Sequence, residues 1–241
     1  MIYGLSSNNL HYLTDDICEL ENILSGTTKR EEYQIICFAL AKRNTPECRE
    51  ILERQLQSDN KQKRFDALFY VFMNNAEREK YLPFTEEQLR IALKAQNLDD
   101  IKGLLRIISE QDLLINTDLL FEGLMFAANY ASCFEYNACL HLPYTEDNFL
   151  RILTLFKKIK QREIWPLAEN LMQRCEEKYF DELFEILIAE KDPRVNYYAA
   201  HLCIKFGKRD FNERLLAMGK DTLAVYGHIQ WLVNYYLSEN Q

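Results

Sequence analysis

Residues 180–202 read Phe180-Asp181-Glu182-Leu183-Phe184-Glu185-Ile186-Leu187-Ile188-Ala189-Glu190-Lys191-Asp192-Pro193-Arg194-Val195-Asn196-Tyr197-Tyr198-Ala199-Ala200-His201-Leu202. The apolar positions of the first half recur every three to four residues, which predicts a helix with one buried face. Asp192-Pro193 then breaks the chain and restarts it, because aspartate accepts from open amides at a helix start and proline loses nothing at the first helical position. In the second half Val195, Ala199 and Leu202 share a face, and the small alanines let a partner helix approach closely. Two amphipathic helices joined by a short turn cannot cover both of their apolar faces alone, so the unit calls for neighbours of the same kind.

Working outward, the same grammar repeats. Thr14-Asp15-Asp16 precedes a helix with Ile17, Leu20, Ile23 and Leu24 on one side, and Ser25-Gly26 is expected to stop it. Thr28 is expected to open the next helix. Thr45-Pro46 repeats the cap-and-proline start ahead of Cys48, Ile51, Leu52 and Leu56. A further helix carries Phe65, Leu68, Phe69, Val71 and Phe72. Thr85-Glu86-Glu87, Asp99-Asp100, Asn116-Thr117-Asp118 and Thr145-Glu146-Asp147 all read as helix starts. Later helices are expected over 162–174, 178–190, 193–206, 208–218 and 221–237. No stretch alternates at period two for long enough to be a strand. The spacing is least regular from Ala131 to Tyr144, where we expect a distorted repeat.

The stretch 180–202 resembles a HEAT repeat, and Ile51 to Asp59 followed by Arg64, Ala67 and Leu68 is a weaker copy. The resemblance is carried by 178–206 and less fully by 46–74. Ala67, Gly103, Ala168 and Ala200 fall on a rough period of 32 to 36 residues when one repeat lies between the middle two. Asn196 stands where the family usually has arginine, so stacked charge between neighbouring turns is not implied there. The resemblance implies an all-α, right-handed α-α superhelix of the HEAT or armadillo kind. It would contain about six to seven helical hairpins in one domain over 1–241, with an irregular repeat near 131–144.

Composition agrees with helices. The 241 residues are 48% hydrophobic but hold only seven glycines and five prolines, too few for the turns of a many-stranded sheet. Seven scattered cysteines read as reduced thiols that pack as small apolar groups. The first residues lack a basic and then apolar leader, and no apolar run approaches the ~18 residues that span a bilayer. These features predict a soluble cytoplasmic protein with no membrane partner.

Chemistry is hard to find. There is no H-E-x-x-H, C-x-x-C, G-x-S-x-G or Gly-x-Gly among these residues. Cys133, Cys139 and His141 invite a zinc site, but a fourth ligand is missing and small buried residues in an irregular helix account for them better. Paired carboxylates such as Glu86-Glu87 and Asp99-Asp100 sit at helix starts, where they answer the helix dipole. We therefore expect no catalytic residues, no metal and no cofactor.

A binding surface is the better expectation. Arg194, Tyr197, Tyr198, His201 and Lys205 recur at three to four residues opposite the apolar face of their helix. The last helix adds Tyr226, His228, Trp231, Asn234, Tyr235 and Tyr236, and aromatics beside long charged side chains are what binding hot spots use. The second helix of each pair in such solenoids tends to line the concave face. The leading expectation is a non-catalytic scaffold or adaptor for a protein or peptide. With a net charge of -8 a basic partner suits it, as for a bacterial immunity-type protein.

The alternative is nucleic-acid binding, as in HEAT-like proteins that resemble DNA alkylation-repair glycosylases. Lys61, Lys63, Arg64, Lys102, Arg106, Lys157, Lys158 and Lys160 would form the cationic track, with Trp165 and Trp231 to stack bases. The acidic total opposes it. A HEAT-like lyase or cofactor chaperone is a third class, which a bound chromophore would reveal.

Overall fold

The computed structural model describes residues 16–73, 76–160, 164–190 and 192–208. Twelve α-helices and no strand occur among them. The contacts fall into two compact units, residues 1–116 and 117–241.

In the first unit α1 (Ile17–Gly26) begins at Asp16, whose carboxylate accepts from the amides of Cys18 at 2.8 Å and Glu19 at 3.3 Å. Gly26 is still helical and the chain leaves the helix only at Thr27. Helix α2 (Arg30–Arg43) starts after Lys29 with no side-chain cap, so Thr28 does not open it. It ends on Asn44, which takes the left-handed conformation at φ 53°. Thr45 caps α3 (Pro46–Gln55) through Cys48 N, as its sequence predicts, and Asn60 caps α4 (Lys61–Val71). A 3-10 turn over Arg78–Tyr81 leads into α5 (Leu82–Lys94).

Thr85 is not a cap. It lies inside α5, fully buried, and its hydroxyl donates to the Tyr81 carbonyl at 3.0 Å, because Pro83 already supplies the helix start one turn earlier. Asn97, two residues ahead of the expected pair, caps α6 (Leu98–Glu110), and Asp99 and Asp100 occupy its first turn.

Neighbours alternate in this unit. Helix α1 packs on α2 and α3, α2 on α3 and α4, and α4 on α3 and α6, while α5 packs on α6. Helices α2, α4 and α6 therefore lie side by side as the second members of three helix pairs. The core between the layers is built from Leu20, Ile36, Cys37, Leu68, Leu89 and Leu104, all fully buried. Tyr33 also lies there, with its hydroxyl on the Lys63 carbonyl at 3.2 Å.

The second unit contains α7 (Thr117–Ala127), the one-turn α8 (Cys133–Tyr136), a 3-10 turn over Asn137–His141, α9 (Glu146–Lys158), α10 (Trp165–Arg174), α11 (Phe180–Ala189) and α12 (Pro193–Phe206). Ser132 and Glu135 form a reciprocal capping box on α8. Helix α9 packs on α7 and α10, and α12 on α10 and α11. Val195, Ala199 and Leu202 are fully buried, so the face predicted for α12 is the one that packs. Asn196 turns its amide into the hairpin and donates to the Leu187 and Glu190 carbonyls at 2.9 and 3.0 Å, closing the end of α11.

Three of the four small positions, Ala67, Ala168 and Ala200, are buried between helices of this second kind. Gly103 occupies the same place on α6 but is only half-buried. No helix among the described residues is long and apolar enough to cross a membrane. The helices expected over 208–218 and 221–237, and with them Trp231 and Tyr235, lie outside the described residues.

Candidate functional site

The stripe expected on α12 is divided between several partners. Arg194 folds back on its own cap, with Nη2 2.8 Å and Nε 3.1 Å from the Asp192 carboxylate. Tyr197 and His201 meet edge to face at 4.5 Å, and Tyr198 lies 6.4 Å from the same imidazole. The Tyr198 hydroxyl donates to Glu169 of α10 at 3.2 Å. Burial lowers the His201 pKa from its ordinary value, against the pull of Glu169.

Lys205 is exposed but not free. Its ammonium donates to the carbonyls of Met172, Gln173 and Cys175 at 3.2, 2.8 and 2.8 Å, closing the open C-terminal end of α10. The structure brings Tyr197, Tyr198 and His201 into one aromatic cluster and commits Lys205 to the fold.

A larger concavity lies in the first unit, where α2, α4 and α6 line a cleft of about 620 Å³. Its floor is apolar: Phe65 and Phe69 of α4 are half-buried, and Ile107 of α6 is buried. Because Gly103 has no side chain, α6 approaches Phe65 without filling the space; a Cβ there would stand 3.6 Å from the ring.

The walls are ion pairs. Asp66, inside the apolar run of α4, accepts from Arg30 Nε at 3.1 Å and Nη2 at 3.0 Å and from Gln34 at 2.9 Å. Lys61 reaches Asp100 at 2.8 Å, and Arg106 reaches Glu110 at 2.6 Å. Buried acceptors left without donors are costly, so α2 supplies Arg30 to Asp66 and α4 supplies Lys61 to Asp100, while Arg106 and Glu110 pair within α6. The Asp66 contact raises the Arg30 pKa further above its already high value.

In every pair the carboxylate is the shielded member. Asp66, Asp100 and Glu110 keep 8%, 16% and 21% of their side-chain surface, against 58%, 52% and 43% for Arg30, Lys61 and Arg106. The solvent side of the cleft thus presents cationic heads over hidden acids. Sequence reading passed over Asp66 and Arg30, although a lone carboxylate in Phe65-Asp66-Ala67-Leu68 signals a buried partner.

A smaller pocket of about 250 Å³ in the second unit is lined by Tyr144, Phe149, Tyr179, Glu146 and Arg174 among others. The Arg174 guanidinium covers the Tyr144 ring at 4.2 Å while donating to the Leu142 and Pro143 carbonyls, both at 2.7 Å. The cation lining that pocket is already committed to the protein's own carbonyls.

Other chemistry is muted. Burial pushes the Cys139 thiol up to about 12 and the Cys175 thiol up to about 11, so neither is a thiolate at pH 7. No group of three or more metal-ligating side chains stands together among the described residues. Of the cations expected to form a nucleic-acid track, Arg64 closes the Ser58 carbonyl at 2.6 Å, Lys157 pairs with Glu182 at 2.5 Å, and Lys158 donates to the Met125 carbonyl at 3.2 Å.

The fold and cleft define an all-helical protein of paired helices with an open, ion-pair-walled cleft. Compared with protein-family models, curated proteins and solved structures, the chain matches none significantly.

Proposed function

We propose that this protein is a non-catalytic helical-repeat scaffold, HEAT-like in build, that holds a polypeptide segment in the cleft of α2, α4 and α6. One observation carries the reading: three second-position helices line a single open cleft whose floor is apolar and whose walls are fixed by ion pairs. A partly apolar concavity with a few positioned polar groups is the usual form of a recognition site. The stacked-pair reading is supported by the sequence distance of polar links within each unit. Arg54–Glu21, Arg151–Asp118, Lys158–Met125 and Lys205–Met172 each join residues 33 apart, close to the period of the small-residue positions. Buried, protonated thiols at Cys139 and Cys175 are poor nucleophiles, which suits a binding role.

The reading is tested by selecting a display library of random 12-residue peptides on the purified protein. Enriched peptides should bind wild type but not Gly103→Phe, which fills the cleft, with circular dichroism confirming that the variant is folded. Enrichment insensitive to Gly103→Phe places binding elsewhere and ends the proposal.

A further inference from the structure

We infer that the segment received by the α2/α4/α6 cleft is acidic, with apolar residues beside its carboxylates; the inference rests on the polypeptide-binding reading above. By formal charge alone the opposite would be expected. The lining holds three cations, Arg30, Lys61 and Arg106, against four carboxylates, Asp66, Asp99, Asp100 and Glu110, in a chain of net charge -8.

The arrangement reverses this at contact. Three of those carboxylates are the shielded members of ion pairs, and only Asp99 is exposed. An incoming carboxylate touching a cationic head at about 3 Å is attracted about twice as strongly as a shielded acid at about 6 Å repels it. Beyond a Debye length of about 8 Å the field of the lining is largely screened, and what remains is the acidic balance of the chain. The cleft is therefore selective for anionic groups at contact without drawing polyanions from a distance.

Bond replacement points the same way. A basic side chain could reach Asp66 only by displacing Arg30 from two hydrogen bonds at 3.0 and 3.1 Å, and Asp100 only by displacing Lys61, which leaves the exposed Asp99 at the edge as the acid it meets without displacement. An acidic side chain displaces nothing. Arg30 binds Asp66 through Nε and Nη2, and the donors of Nη1 are not used by any described residue. The Lys61 side chain keeps about half its surface in solvent.

Arg30 and Lys61 are the first residues of α2 and α4, two helices that pack on each other, and packed helices generally stand about 8–10 Å apart. On an extended chain side chains alternate faces, so carboxylates four residues apart share one face with the residue midway between them. An apolar side chain between them would meet the Phe65 and Phe69 floor, in the space left by Gly103.

The test sequences the Gly103→Phe-sensitive peptides from the selection and measures one of them by fluorescence anisotropy. The expected peptides carry two Asp or Glu residues four apart around a central apolar residue. Replacing both acids by their amides should weaken binding at least tenfold. Lys61→Gln should weaken the acidic peptide at least fivefold and leave the amide version unchanged. Enriched peptides that are basic or uncharged overturn the charge inference and leave the cleft reading standing. An absence of any Gly103→Phe-sensitive peptide overturns both. A 20-nucleotide single strand that binds more tightly than the acidic peptide, and is blocked by Gly103→Phe, overturns the inference in favour of nucleic acid.

Discussion

Asp66 shows how one residue can organise a site. The residue is 7% exposed in the midst of an apolar helix, and its carboxylate is satisfied chiefly by Arg30 and Gln34, which reach it from α2. Removing it strands donors rather than merely deleting a contact, although the half-exposed Arg30 can recover water. Asp66→Ala should therefore lower stability by about 2 kcal/mol, less than for a fully buried pair, as read from the urea midpoint. Cysteine reactivity is decided at the same scale. Cys18 is exposed, whereas Cys37, Cys48, Cys139, Cys175 and Cys203 are buried. A thiol reagent at pH 8 should label Cys18 in the native protein and reach Cys139 and Cys175 only on unfolding; peptide mapping reads this directly, and early labelling of Cys139 would contradict its burial.

Helix ends are where elements join. Lys205 closes α10, Asn196 closes α11, and Arg174 closes the 3-10 turn ending at His141 through the Cys139 carbonyl at 3.1 Å. Each is a side chain from another segment meeting carbonyls that a helix leaves open. Lys205→Met keeps the aliphatic stem and removes the charge, so it should cost about 1 kcal/mol in chemical denaturation. Elsewhere the chain pays in backbone strain. Gln96 follows α5 at φ 51°, where glycine is at ease and a side chain is not. Gln96→Gly should raise stability by about 0.5 kcal/mol or more, a gain visible as a higher melting temperature.

At the scale of the whole molecule, charge sets the field and contacts set the choice. The total of -8 repels phosphate, and Arg64, Lys157 and Lys158 are already committed to carbonyls or carboxylates within the protein. A 30-base-pair duplex should therefore show no gel shift at 150 mM salt with micromolar protein. A shift that weakens steeply with added salt would restore a cationic track.

What the sequence determined by itself is the string of helices and much of their packing sides. Thr45, Asp192 and Thr145 act through bonds to amides within three residues of themselves, and the apolar face of α12 follows from a 3.6-residue period. Even the failure at Thr85 is local, since Pro83 competes for the same helix start. The cleft was not legible in this way. Lys61 and Arg106 were visible as charges and Gly103 as a small residue, but nothing near them in the chain says that Asp66 faces Arg30 across 36 positions, or Asp100 faces Lys61 across 39. Those pairings exist only once helices pack side by side. A hydrogen bond inside a helix is fixed by its neighbours in sequence, whereas a charge between helices finds its partner only in the packed fold, and so the tertiary structure alone decided which acids are hidden and which cations face the solvent.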